Sequence, residues 1–100
     1  MQISQNAGDF VSGYAMTNQY EDFAESYLFY VMHNQEFLEK SFESQKLREK
    51  YLFFQNYIFP QNVFRKSDFS GEHSPQAYYW DITKLSVDIK KFLQYIQSEI

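Results

Sequence analysis

Apolar residues recur at three- and four-residue steps through much of the chain, the period of a helix with one buried stripe. Tyr20, Phe23, Ala24, Tyr27, Leu28 and Val31 form the first such stripe, and Phe29, Tyr30 and Met32 make its middle apolar on nearly every side. The pattern predicts a helix from about Gln19 to about Lys40. Asn18 is its natural N-cap, Glu21 stands three residues on as in a capping box, and Glu21 and Asp22 face the positive end of the helix dipole.

A second stripe, Leu47, Tyr51, Phe54 and Ile58 widened by Leu52, Phe53 and Tyr57, predicts a helix from Ser44 to about Phe59. Pro60 closes it by disfavouring helical backbone at the residue before it. The short connection predicts an antiparallel hairpin in which this helix braces the first, while Lys46, Arg48, Glu49 and Lys50 form a wet face. A third stripe, Ile82, Leu85, Ile89, Phe92, Leu93 and Ile96, predicts a C-terminal amphipathic helix starting near Thr83 or Leu85 and packing on the hairpin.

The architecture expected is therefore all-α: a helical hairpin plus a third C-terminal amphipathic helix around an aromatic-rich core. As a single helical domain or fragment it divides into a lead-in (1–18), the hairpin (19–59), a loop (60–81) and the last helix (82–100). The polar residues 1–13 read as flexible, and the cluster Tyr78-Tyr79-Trp80-Asp81 as a buried plug. His33 reads as a surface or interface histidine. Ser70, Glu72, His73 and Ser74 lack the strand-turn-helix setting of a nucleophile elbow and are read as ordinary loop residues.

Composition sharpens this picture in two ways. Eleven Phe and nine Tyr in 100 residues exceed what so small a core commonly needs, which points to aromatics that further chain would cover. A net charge of −4, with basic residues alternating with acids, argues against nucleic acid as a partner. There is no cysteine for a thiolate metal site, and no apolar run long enough to cross a membrane.

The candidate chemistry lies at the start of the first helix, where Glu21 and Glu25 are four residues apart and share a face. Two like charges so placed disfavour the helix by roughly 0.2–0.5 kcal/mol unless a cation or a histidine lies between them. The surrounding string, Tyr14-Ala-Met-Thr-Asn-Gln-Tyr-Glu21-Asp-Phe-Ala-Glu25, resembles the second half of the active site of zincin-type metallopeptidases, both bacterial zinc-binding ones and the anthrax lethal factor-like group. The similarity is tight from Phe10 to Glu36 and looser through Pro60.

The resemblance implies that Glu21 is the third zinc ligand, that Tyr14 reaches over the metal toward the reacting carbonyl, and that Glu25 supports a ligand histidine. The H-E-x-x-H helix, with two ligands and the general base, is absent: the only histidines are His33 and His73. The expectation is thus a C-terminal part of a zinc metallopeptidase-like protein, hydrolysing a peptide or protein substrate only when completed by a histidine-bearing N-terminal region or chain, and inactive alone. The competing expectation is a small all-helical interaction module without catalytic role, in which Asn18, Glu21 and Asp22 merely cap a helix.

Overall fold

The computed structural model describes residues 6–59, 68–73 and 78–99. They form four α-helices: α1, Gln19–Met32; α2, Asn34–Ser41; α3, Gln45–Phe53, continued by a π turn, Phe54–Ile58; and α4, Ile89–Glu99. Short 3-10 turns stand at Ala7–Asp9, Tyr14–Met16 and Ile82–Lys84. The chain is helical as expected, and among the described residues the only β pairings are two isolated bridges, His33 with Asp68 and Ser70 with Val87. The parts of the expected loop at 60–67 and 74–77, with Pro60 and Ser74, lie outside the described residues, as does the side chain of Ile96.

Local chemistry sets most helix starts. The Asn18 side chain accepts from the amides of Tyr20 and Glu21, both at 3.0 Å. Ser44 accepts from the Leu47 amide at 3.2 Å while its hydroxyl donates to Asp9 at 2.8 Å, so one cap both starts α3 and ties it to the first turn. At its far end α3 widens into the π turn, where the Phe59 amide donates to the Phe54 carbonyl at 2.9 Å. The hairpin is thus α1 and α2 in one arm and α3 with its π turn in the other.

The first arm is not one helix to Lys40. It breaks at His33, whose φ of −131° and ψ of 47° are non-helical. The cause is not local: the Phe69 amide donates to the Met32 carbonyl at 2.8 Å, and the Asp68 carboxylate accepts from the Gln35 amide at 3.0 Å. A residue more than thirty positions away therefore caps α2, and periodicity cannot foresee it.

The main core joins Val11, Ala15, Phe29, Tyr30, Phe37, Leu47, Tyr51, Phe54, Tyr79 and Ile82. Tyr30 is its centre, with its ring stacked on Phe59 at 5.5 Å and close to Tyr51 at 5.1 Å. Burial raises its phenol pKa to about 12, so it stays neutral. The Tyr51 hydroxyl donates to Asn34 at 3.0 Å, and Asn34 donates to the Tyr30 carbonyl at 3.2 Å, satisfying the polar tips beneath the rings.

Several expectations need correction. Tyr20, Phe23 and Tyr27 line the outer side of α1 and are exposed, because the inner side is taken by Glu25, Ser26, Phe29 and Tyr30. Residues 10–12 do not fray: Val11 and Ser12 are buried. Lys50 is not on a wet face, since its ammonium reaches Asp22 at 3.0 Å, the Asp9 carbonyl at 2.8 Å and the face of the Phe10 ring.

The C-terminal part also departs from its pattern. A continuous helix from Thr83 or Leu85 is prevented because Ser86 accepts from the Gly71 amide at 2.7 Å and Val87 bridges to Ser70, so α4 starts only after Asp88. Asp88 caps it, accepting from the Lys91 amide at 3.0 Å. The rings of Phe92 and Tyr95 pack on the buried Phe69, at 5.2 and 5.4 Å, while Ile89 and Leu93 remain exposed. Of the expected plug only Tyr79 is buried; Tyr78 and Trp80 are exposed, the alternation of an extended segment.

Candidate functional site

Tyr14 lies on the 3-10 turn that packs directly against α1. The preceding residues are held by an extended segment: the Gly13 amide donates to the Tyr79 carbonyl at 2.5 Å and the Tyr14 amide to the Trp80 carbonyl at 2.7 Å. Gly13 is required for space rather than for conformation. Its φ is −65°, but a side chain there would meet the Tyr78 hydroxyl and lie 2.5 Å from the Trp80 ring. Tyr14 is left partly exposed, and its hydroxyl has no protein partner among the described residues.

Glu21 stands in the first turn of α1. Its backbone amide is used by the Asn18 cap, but its carboxylate does not reach back to close a capping box and takes no other partner among the described residues. The two roles that sequence leaves entangled, cap and ligand, are thus divided within the residue: the amide serves the helix, and the carboxylate has no partner among the described residues.

Glu25 is nearly fully buried and does structural work. Its Oε1 accepts from the Ser12 hydroxyl at 2.7 Å and from the Ile82 amide at 2.9 Å, while Ser12 also accepts from the Ala15 amide at 3.1 Å. One carboxylate thereby fastens the lead-in, the Tyr14 turn and the Ile82 turn to α1. Asp81, just before that turn, is held below the usual carboxylate range, chiefly by the Thr83 hydroxyl.

The histidines are elsewhere. His33 lies twelve positions along the chain from Glu21, about 18 Å at 1.5 Å per residue, and is fully buried rather than on the surface. His73 lies beside it, with ring centroids 5.9 Å apart. Ser70 pairs with His33 at 2.5 Å and not with His73, which instead meets Glu36 at 2.9 Å and the Gly71 carbonyl at 3.0 Å. The buried Tyr79 hydroxyl donates to the other oxygen of Glu36. This Glu36, Asp68, Ser70 cluster was not legible in the sequence. The one available signal is the three-residue step from His33 to Glu36, which places both on one side of a helix.

Neither histidine can therefore join Glu21 at one metal. Among the described residues no three His, Asp or Glu side chains are arranged to hold a metal ion, and no helix is long and apolar enough to cross a membrane. No protein-family model, curated protein or solved structure matches the chain.

Proposed function

We propose that this chain is the glutamate-bearing C-terminal half of a zinc metallopeptidase-like active site, completed by a histidine-bearing region or chain. The observation that carries the reading is the Glu21 carboxylate, presented on a fixed first turn beside the turn that presents the Tyr14 hydroxyl, neither group having a partner among the described residues. A carboxylate oxygen suits a zinc ion, and this chain supplies one ligand where a catalytic site needs three.

Zinc, when bound, supplies Lewis acidity and a water activated near neutral pH. Glu21 would hold the metal, and Tyr14 would donate a hydrogen bond toward the oxyanion that develops on the scissile carbonyl. Glu25 holds α1 and the Tyr14 turn in mutual register through Oε1, and in the completed site it would support a ligand histidine. The exposed rings of Tyr78 and Trp80, next to the Tyr14 turn, provide apolar surface for the completing region.

A second reading is favoured by a separate observation. Phe23, Tyr27, Phe53 and Tyr57 are exposed yet joined by ring contacts through Phe54, making a continuous aromatic face on α1 and α3. Such a face suits an interaction module.

The two readings separate on substitution. Asn18→Ala removes the cap and is expected to destabilise by ~1 kcal/mol, whereas Glu21→Ala leaves that cap in place and lowers stability by at most a few tenths of a kcal/mol. In the product of the intact gene, Glu21→Ala is expected to abolish zinc retention and hydrolysis, and Tyr14→Phe to lower turnover about 100-fold with zinc retained. Unchanged zinc content and hydrolysis in Glu21→Ala, measured by elemental analysis and peptide cleavage, leaves the interaction module as the better reading.

A further inference from the structure

The break between α1 and α2 holds a buried group that the proposed activity does not use. His33 is fully buried, its Nε2 has no partner among the described residues, and its Nδ1 lies 2.5 Å from the Ser70 hydroxyl. Burial assigns the tautomer: Nε2 is buried with no partner among the described residues, so the proton sits on Nδ1, which donates to Ser70, and Nε2 is a bare lone pair. The other tautomer would bury an unpaired N–H. Asp68 is itself fixed by the amides of Gln35 and Ser70, at 3.0 and 2.8 Å.

Three charged groups face His33: Glu36 from α2, and Asp68 and His73 from the 68–73 segment. From α1 it meets the ring of Phe29. His73 is bonded at both ring nitrogens, to acceptors on both sides, which is the arrangement of an imidazolium. The 68–73 segment also holds α4, through Phe69 packed on Phe92 and Tyr95 and through the Asp88 amide donating to the Phe69 carbonyl at 2.6 Å.

We propose that His33 and His73 form a proton-operated latch that fastens residues 68–73, and with them α4, to the α1–α2 junction. The latch is closed with His33 neutral and His73 charged. A proton added at His33 Nε2 makes an unpaired buried cation close to a second one, and the segment is released.

The direction of each titration follows from its surroundings. Burial, aided by the His73 charge, holds His33 below the usual imidazole range against the pull of Asp68 and Glu36. Its neutral form is the folded form, so stability is complete above the unfolded pKa of about 6.5 and is lost as pH falls below it. Burial works against His73 as well, but the Glu36 hydrogen bond, the Gly71 carbonyl and the carboxylate charges raise it. Its contribution is complete below about 6.5 and is lost as pH rises through its folded value. Acid release is thus the work of His33 alone, and the latch is tightest near neutrality.

Hydrogen exchange of the chain between pH 8 and pH 5, corrected for intrinsic rates, tests the latch. The Phe69 and Gly71 amides, which donate to Met32 and Ser86, are expected to open about tenfold more per pH unit below 6.5, while the Tyr51 amide of α3 does not follow. His33→Asn keeps a donor for Ser70 without a titrating ring, and is expected to abolish the dependence. Should that variant fail to fold, imidazole nitrogen shifts of His33 in the natural chain decide: its protonation must coincide with the loss of protection at Phe69. Protection that falls equally in His33→Asn, or a His33 that titrates with Phe69 protection unchanged, overturns the proposal.

Discussion

Phe29→Ala is expected to destabilise the protein by ~3–5 kcal/mol, the range for removing a buried aromatic ring. The ring is fully buried and touches the main core through Phe37, at 5.2 Å, and the latch cluster through Tyr79 and His33, at 6.3 and 5.8 Å. No neighbour can collapse into the vacated space without breaking one of these layers, so the cavity contribution stays large. Against a total stability of about 5–15 kcal/mol the loss is a large fraction, and the melting temperature should fall by at least about 12 °C. Phe23→Ala on the same helix, where the ring is about half exposed, should cost under about 1 kcal/mol. Denaturant midpoints of the two variants check the contrast, and equal shifts would mean that α1 faces the core the other way round.

Glu36→Ala is the second large effect, expected at about 2–4 kcal/mol. The carboxylate is nearly buried and holds two groups from distant chain, His73 and the Tyr79 hydroxyl. Its removal takes an acceptor from the buried phenol and, from His73, one of the bonds that raise its pKa. The pH profile distinguishes this from mere loss of packing. In Glu36→Gln the phenol keeps an acceptor, yet His73 gains less on folding, so stability at about pH 6.5 should fall toward that at pH 8. Chemical denaturation at the two pH values measures it, and an unaltered difference between them would show that Glu36 does not hold the His73 proton.

What could be read from the sequence is what local chemistry decides. The caps at Asn18 and Ser44 are set by residues two or three positions away, so these were legible. The break at His33 was not, because its causes lie at Asp68 and Phe69. The same holds for α4, whose start is delayed by pairing with Ser70 and Gly71. Stripe patterns failed where a helix is apolar on nearly every side: Phe23 and Tyr27 match the period as well as Phe29 and Tyr30 do, and packing alone chose between them. At the candidate site the string from Tyr14 to Glu25 marked the residues by resemblance. Only the structure separates the capping amide of Glu21 from a carboxylate without a partner among the described residues, and shows Glu25 clamping Ser12 and Ile82.

The most direct measurement is the nucleotide sequence upstream of the Met1 codon, read in frame. An open frame encoding an H-E-x-x-H helix some tens of residues before Tyr14 is the expected result, and it would give Glu21 the two histidines and the base that its carboxylate lacks here. A stop codon immediately ahead of Met1 would contradict it, leaving a stand-alone helical protein in which Glu21 does no more than favour the start of α1.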